Sequence, residues 1–218
     1  MSYKLAIFDL DGTILDTLDD LTDSTNHALT VHGLPRRTRD EVRSFVGSGA
    51  RLLIERAVPT GCSTDTTNRV FAEFQSYYKA HSNIKTKPYS GIIDALNELK
   101  ANGIKLALLS NKPDFAVQTL CERYFDGIFS YAAGERAGIP RKPAPDAVNA
   151  ILESLDADRR HAVYIGDSDV DIETAKNADM FCISVTWGFR DETFLRDSGA
   201  MCIVTSPHEM ADEIMRHE

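Results

Sequence analysis

Short runs of consecutive apolar residues alternate with longer stretches of helical periodicity along most of the chain. The first run, Leu5–Phe8, is followed at once by Asp9, Leu10, Asp11 and a Gly-Thr turn. An unbroken apolar run of this length is typical of a strand buried on both faces of a parallel sheet. Similar runs follow at 104–109, 128–131, 162–165, 181–185 and 202–204. We therefore expect a mostly parallel sheet with right-handed helical crossovers between its strands.

The region between the first strand and the second half of the chain contains only helical patterns. These patterns cover about 17–31, 38–46, 51–58 and 65–81. Gly and Pro residues separate them, and strand-like runs resume only after Pro88. The sequence thus predicts an α/β fold in two parts. Residues 1–15 and 85–218 would form a Rossmann-like parallel core, and residues 16–84 would form an inserted all-helical cap.

Composition and charge limit the classes of partner. The chain has 218 residues, 43% of them hydrophobic and 26% charged, with a net charge of −9 and a pI of about 5.2. An acidic balance argues against nucleic acid or an anionic membrane as the main partner, because phosphate groups select basic surfaces. A small anionic substrate is still compatible with this net charge, provided that local cations or a metal make the electrostatic potential at the binding site positive. We expect a monomer or homodimer.

Targeting signals and cysteine spacing point to a cytoplasmic protein. No apolar run approaches the roughly 20 residues of a membrane-spanning helix. The apolar stretch at the N-terminus is too short for a signal peptide, and Asp9 interrupts it. The cysteines are Cys62, Cys121, Cys182 and Cys202. They are scattered and form no C-x-x-C pair, which favours reduced thiols over a disulfide framework or a zinc site.

Polar residues stand at the ends of the three strongest apolar runs. The first run ends at Asp9 and Asp11, the second at Ser110, Asn111 and Lys112, and the third at Asp167, with Asp171 beyond it. The carboxyl ends of parallel strands meet at one edge of the sheet, where open α/β sheets bind ligands. Lys142, at the start of a predicted helix, is placed to join them. We expect a site with four carboxylates, one or two lysines and a hydroxyl.

Such a set of groups suits a divalent cation and a phosphoryl group. Crowded carboxylates repel one another and raise each other's pKa, and a hard cation relieves that repulsion. Oxygen ligands without soft donors match Mg²⁺ rather than zinc. The lysine and the hydroxyl match phosphoryl oxygens. The Gly12-Thr13 turn is expected to offer backbone N–H groups to the same anion.

These residues resemble the four motifs of the haloacid dehalogenase superfamily, in the family's order. The motifs are Asp9-Leu10-Asp11-Gly12-Thr13, Ser110-Asn111-Lys112, Lys142-Pro143 and Gly166-Asp167-Ser168 with Asp171. The resemblance covers essentially the whole chain, since the helical insert stands where this family has its cap. It implies a hydrolase in which Asp9 is the nucleophile and forms an aspartyl-phosphate.

The resemblance also implies roles for the other motif residues. Asp11 would protonate the leaving alkoxide and then take a proton from the hydrolytic water. The implied phosphate-binding residues are Thr13, Ser110, Asn111 and Lys142. The implied Mg²⁺ ligands are Asp9, Asp167 and the Asp11 carbonyl, with Asp171 binding directly or through water.

Two positions bear on the type of reaction. Family members that cleave carbon–halogen bonds generally lack an acid at the position of Asp11, so its presence favours phosphate chemistry. Sugar phosphomutases tend to carry Glu-Asp where this chain has Gly166-Asp167, which favours hydrolysis. A pyrophosphatase, a nucleotidase and a phosphomutase stay open as alternatives on the same site. A non-catalytic protein that binds a phosphorylated metabolite is the alternative from another class.

The cap segment narrows the expected substrate. Residues 45–53 resemble the cap segment of bacterial phosphoglycolate phosphatases, which makes 2-phosphoglycolate the first candidate. Gly47 and Gly49 would expose N–H groups at a helix start to a substrate carboxylate, and Arg51 would assist. The alternative is a helix–helix turn with a solvated arginine. Lys112 has two possible roles: it contacts the phosphate, or it is a solvated lysine at the start of the next helix. None of the six histidines, including His217, has ligand spacing.

Overall fold

In the computed structural model, which describes residues 3–216, strands and helices alternate after a helical first third. The strands are β1 (Leu5–Phe8), β2 (Leu15–Asp16), β3 (Lys87–Pro88), β4 (Lys105–Pro113), β5 (Tyr131–Glu135), β6 (Ala162–Gly166), β7 (Phe181–Val185) and β8 (Cys202–Val204). The helices are α1 (Leu18–Val31), α2 (Arg39–Phe45), α3 (Ala50–Ala57), α4 (Thr64–His81), α5 (Ile92–Ala101), α6 (Asp114–Tyr124), α7 (Asp146–Ser154), α8 (Asp169–Asn177), α9 (Glu192–Asp197) and α10 (Pro207–Arg216). A 3₁₀ turn, Arg159–His161, precedes β6.

Strand β1 lies at the centre of a parallel sheet with the order β5-β4-β1-β6-β7-β8. It pairs with β4 on one side and with β6 on the other. Leu5 and Ile7 pack with α7 and α8 on one face, whereas Ala6 and Phe8 pack with α5, α6 and α10 on the other. Burial on both faces explains the unbroken apolar run, and the predicted α/β, Rossmann-like fold is confirmed.

Helices α1 to α4 bury a hydrophobic cluster of their own. Leu29, Val42, Ile54 and Phe74, one from each helix, are fully or almost fully buried in it. Ala116 of α6 and Phe189 of the β7–α9 loop pack against the same cluster from the sheet side. The four helices are therefore a packed unit that touches the carboxyl edge of the sheet.

A two-stranded antiparallel ribbon joins the helical unit to the sheet. Leu15 pairs with Pro88 and Asp16 with Lys87, so β2 and β3 lie side by side. The buried Asp20 of α1 accepts hydrogen bonds from the Lys85 and Thr86 N–H groups, at 3.0 and 2.8 Å. The ribbon, which the apolar pattern did not predict, thus ties together the two chain crossings between the four helices and the sheet.

Two further elements differ from the sequence expectation. The strand expected at 128–131 begins at Tyr131, since Ile128 and Phe129 turn into the core and the Ser130 N–H donates to the Leu106 carbonyl. Helix α9 was not predicted, because its six residues bury only Leu195 and are too few for a periodic pattern. His217 lies outside the described residues. No helix within 3–216 has the length and apolar character needed to cross a bilayer.

Candidate active site

Asp9, Lys142 and Asp171 form a buried ionic cluster at the carboxyl end of β1. The Lys142 Nζ donates to Asp9 Oδ1 at 2.6 Å, to Asp171 Oδ1 at 2.8 Å and to the Tyr164 hydroxyl at 3.0 Å. All three donors of the ammonium group are therefore engaged. Burial by itself lowers the pKa of Lys142, but the two carboxylates outweigh it and hold that pKa well above its usual range. Lys142 is thus a permanent cation in the site.

Three carboxylates lie close enough to share one ion. Asp9, Asp167 and Asp171 are all buried, and each has an oxygen within 4.8 Å of an oxygen of the others. Burial, opposed by Lys142 and reinforced by Asp171 and Asp11, raises the pKa of Asp9 to about 7. Burial, together with Asp171 and Asp9, raises the pKa of Asp167 well above its usual range. This group of buried carboxylate oxygens has the donor chemistry that a divalent cation requires.

Neighbouring backbone and hydroxyl groups hold two of these carboxylates in place. Asp167 Oδ2 accepts the Phe189 N–H at 2.6 Å, and Asp167 Oδ1 accepts the Thr13 hydroxyl at 3.4 Å. Asp171 Oδ2 accepts the hydroxyl and the N–H of Ser168, at 2.6 and 3.2 Å. Each of these two carboxylates is therefore oriented by hydrogen bonds from the protein itself.

The turn after Asp11 differs from its expected use. Gly12 has φ of 92°, and a Cβ there would collide with the Asp167 carboxylate, so glycine is required at this position. However, the Gly12 N–H donates to the Leu15 carbonyl and the Thr13 N–H donates to the Leu10 carbonyl. Both N–H groups are already used within the turn, and the expectation that they are offered to an anion is not met in this structure.

Asp11 has a different set of partners from Asp9. Its Oδ1 accepts the Thr17 hydroxyl at 2.6 Å and the Lys112 Nζ at 2.7 Å, and its Oδ2 accepts the same Nζ at 3.0 Å. Lys112 is buried, and Asp11 outweighs the effect of burial and raises the pKa of this lysine. Of the two uses left open from the sequence, a solvated helix start is excluded by this burial.

Asn111 joins the segment at Gly47 to the backbone of Lys142 through hydrogen bonds of its side chain. Its side-chain Nδ2 donates to the Gly47 carbonyl at 3.1 Å and to the Lys142 carbonyl at 3.0 Å, while its Oδ1 accepts the Lys142 N–H at 2.9 Å. Ser110, its neighbour in β4, lines the same cavity and accepts the Lys112 N–H at 3.2 Å. The carboxamide of Asn111 is therefore engaged with the chain itself.

The structure separates the three cap residues singled out from the sequence. Gly47 and Gly49 line the cavity over the carboxylates, with φ values of 121° and 90°. Arg51 points elsewhere: its guanidinium bonds Glu55 at 2.6 Å and Asn68 at 2.7 Å and lies over the Phe71 ring. Arg51 is therefore on the outer side of α3 and is not brought together with the other candidates.

The cavity itself is small, and residues of helices α1 to α4 and their connections form one of its walls. It has a volume of about 40 Å³, room for about three water molecules by the usual minimum of 10–15 Å³ each. Its floor holds Asp9, Asp11, Ser110, Lys142 and Asp167. Leu21, Val46, Leu53, Phe74 and Tyr78 form the opposite wall. Tyr78 was not assigned to the site from the sequence, since an aromatic residue at helical spacing indicates core packing.

Residues 6–185 match the sequence profile described as haloacid dehalogenase-like hydrolase. This match spans most of the chain and includes every residue just described except Phe189. The chain belongs to the haloacid dehalogenase-like hydrolase family.

Several members of this family resemble the chain over nearly its full length. The phosphoglycolate phosphatase of Agrobacterium fabrum is 36% identical over 193 residues, covering 86% of this chain and 82% of that protein. The phosphoglycolate phosphatase 1 of Pseudomonas aeruginosa is 33% identical over 192 residues, which cover 85% of this chain and 70% of that protein. A crystal structure from Lactobacillus delbrueckii subsp. bulgaricus, provisionally named phosphoglycolate phosphatase, is 40% identical, with a TM-score of 0.95 and full coverage of both chains.

Proposed function

We propose that this family member is a Mg²⁺-dependent phosphatase of small phosphomonoesters, with 2-phosphoglycolate as the first candidate substrate. The observation that carries the proposal is the Asp9 carboxylate, buried against Lys142 at 2.6 Å, with the separately held Asp11 two residues further on. One carboxylate is thereby available for attack and the other for proton transfer. The names of the relatives support phosphoglycolate as the substrate.

The acidic cluster fits a divalent cation. Asp9 and Asp167 offer buried oxygen donors, and the pKa of each is raised first by burial and then by neighbouring negative charge, both of which a bound cation would offset. Asp171 has one oxygen on Lys142 and the other on Ser168, so we place it behind a bound water rather than on the ion. Bound Mg²⁺ would neutralise phosphoryl charge and the carboxylate repulsion.

The reaction needs two displacements at phosphorus. In the first, an Asp9 oxygen forms a bond to phosphorus as the bond from phosphorus to the ester oxygen breaks, and Asp11 gives its proton to that oxygen. In the second, Asp11 takes a proton from water as the water oxygen bonds to phosphorus and the Asp9–phosphorus bond breaks. Lys142 balances the charge of Asp9 and of the phosphoryl group throughout, and Ser110 donates to a phosphoryl oxygen.

The position of Gly166 favours hydrolysis over mutase chemistry. A Cβ at Gly166 would overlap the Asp171 side chain. The glutamate that phosphomutases of this family tend to carry at this position would therefore displace Asp171, and with it a partner of Lys142. We accordingly rank the phosphatase above the mutase.

The helical unit fits a cap in this scheme. We propose that residues 16–84 form the cap domain over a core of 1–15 and 85–218, and that the cap excludes bulk water during turnover. The proposed partner is a small phosphorylated metabolite, in line with the names of the relatives, and not a nucleic acid or a membrane.

The deciding measurement is phosphate release with Mg²⁺ across a panel of phosphomonoesters and pyrophosphate. We expect 2-phosphoglycolate to exceed the other compounds in kcat/KM, and EDTA to abolish release. Weak and even release across the panel would leave a generalist phosphatase. Full activity in metal-free buffer would reject the Mg²⁺ proposal, and no release from any compound would reject the phosphatase.

A further inference from the structure

A lysine and a tyrosine meet in the cavity beside Asp11. The Lys112 side chain is 2% exposed, and its Nζ lies 2.7 Å from Asp11 Oδ1 and 5.1 Å from the centroid of the Tyr78 ring. Both residues line the cavity over Asp9. A buried ammonium group is thus held between the proposed proton donor and an aromatic ring from the cap.

The Tyr78 hydroxyl is a buried polar group with no hydrogen-bond partner within 3.5 Å among residues 3–216. Tyr78 is 2% exposed, and the nearby Lys112 ammonium opposes the effect of burial, which raises the pKa of the hydroxyl to about 12. Leaving a buried hydroxyl unpaired is unfavourable, so such groups are normally paired by protein, water or ligand. Among the cap residues that line this cavity, Tyr78 alone carries a polar side chain. Leu21, Val46, Leu53 and Phe74 give that wall its otherwise apolar character.

Distance restricts what the pair can bind. Asp11 is the group assigned to the ester oxygen of the substrate, and Lys112 is in contact with Asp11. An ammonium group has three donors, so Lys112 can contact Asp11 and a substrate group together. That substrate group must lie close to the ester oxygen. A carboxylate separated from the ester oxygen by a single carbon meets this requirement, whereas one at the end of a longer chain does not.

We propose that Lys112 and Tyr78 together bind the carboxylate of a 2-phosphooxy acid, and so select substrates that carry the acid next to the phosphate ester. This inference rests on the proposed phosphatase function and assigns the specificity of that site. It replaces Arg51, which lies outside the cavity, as the source of charge recognition. Lys112 supplies the charge and Tyr78 the directional hydrogen bond.

The test is a ratio of kcat/KM values for two substrates, 2-phosphoglycolate and ethyl phosphate, which lacks the carboxylate. We expect Tyr78→Phe to lower this ratio by about tenfold, the size expected for one lost hydrogen bond to a charged group. Lys112→Met is expected to lower it further. Tyr77→Phe is the matched control, since Tyr77 stands next along the same helix and stacks on His27 and His81 outside the cavity. If the wild type is active and Tyr78→Phe leaves this ratio unchanged, the carboxylate-binding inference is overturned while the phosphatase proposal stands.

A binding measurement keeps the inference testable without turnover. The Asp9→Asn variant and the Asp9→Asn/Tyr78→Phe double variant are titrated with 2-phosphoglycolate by calorimetry. We expect affinity about tenfold weaker in the double variant, for the same hydrogen bond. Equal affinities would overturn the inference. Absence of phosphate release by the wild type together with weaker binding in the double variant would reject the phosphatase and retain the carboxylate site.

Discussion

Asp9 is the residue on which the proposed chemistry depends most directly. We predict that Asp9→Asn lowers kcat at least about a thousandfold, because an amide is a poor nucleophile for phosphorus. The substitution is nearly isosteric, so circular dichroism should be unchanged. Phosphate release in the presence of Mg²⁺ checks the prediction. Activity within about tenfold of the wild type would remove Asp9 from the role of nucleophile.

Asn111 is expected to matter through the groups that it holds. Its carboxamide makes hydrogen bonds to both backbone polar groups of Lys142 and to the Gly47 carbonyl. We predict that Asn111→Ala lowers the free energy of unfolding by about 2–3 kcal/mol, since it leaves buried groups unpaired.

Urea denaturation checks this prediction, and Asn177→Ala is the control. Asn177 donates one exposed hydrogen bond to the Pro143 carbonyl, close to the same segment, so its loss should cost less than about 1 kcal/mol. Equal effects of the two substitutions would contradict the assigned role of Asn111.

For single residues, the sequence predicted which side chains lie at the ends of strands, but it did not predict which way side chains point from a helix. Asp9 and Asp167 were predicted to converge because parallel strands end at one edge of a sheet, and Lys142 was expected to join them from the start of a helix. The outward direction of Arg51 depends on the rotation of α3 about its axis, which the packing of the whole helical unit sets. The same holds for Tyr78, whose ring had to be placed by the packing of α4.

At the scale of elements, the loop between β7 and α9 is joined to α2 and its C-terminal end by several hydrogen bonds. The Arg190 guanidinium donates to the carbonyls of Arg43, Ser44 and Val46, and the Arg43 guanidinium donates to the Phe189 carbonyl at 2.6 Å. The Phe189 N–H donates in turn to Asp167. The contact between the helical unit and the sheet is therefore linked to a candidate metal ligand.

We predict that Arg190→Ala weakens this contact and speeds hydrogen exchange in residues 43–49. Three backbone carbonyls lose their donor, and local opening of a segment becomes easier when such bonds are removed. Exchange measured by mass spectrometry checks the prediction. Arg196→Ala is the control, since Arg196 pairs with Glu192 on the exposed side of α9. Exchange as slow as in the wild type would show that Arg190 does not hold the cap.

Elements were predictable where they bury a continuous apolar run or a periodic face. This applies to β1, β4 and β6 and to the four cap helices. Strand β5 begins later than expected because Ile128 and Phe129 use their apolar side chains in a turn that packs into the core. The β2–β3 ribbon is held by two residue pairs and leaves no periodic signal. Tertiary pairing, not local pattern, defines such elements.

For the whole molecule, buried carboxylates couple stability to pH and to metal. An aspartate with a folded-state pKa of about 7, instead of 3.8, retains its proton over a range where the unfolded chain has lost it. Stability of the metal-free protein therefore falls as pH rises through this range. Metal must displace the proton from Asp9 and from Asp167 to bind.

We predict that saturating Mg²⁺ raises Tm more at about pH 8 than at about pH 5.5, because Asp9, with a pKa of about 7, is mostly ionised at the higher pH and mostly protonated at the lower. Differential scanning fluorimetry with and without Mg²⁺ at both pH values checks this. In Asp9→Asn the dependence on pH should shrink, since one titrating ligand is gone. An equal rise at both pH values in the wild type would contradict the prediction.

Because β2 and β3 lie side by side, the chain leaves the sheet and returns to it at almost the same point. Closing a segment whose ends already meet costs little extra entropy as the segment lengthens, because that cost grows only with the logarithm of loop length. The ribbon thus lets the helical insert change in length at little entropic cost to the sheet. A short turn between Asp16 and Lys87, or another helical bundle inserted there, would leave the two ends of the chain in the sheet joined at the same point.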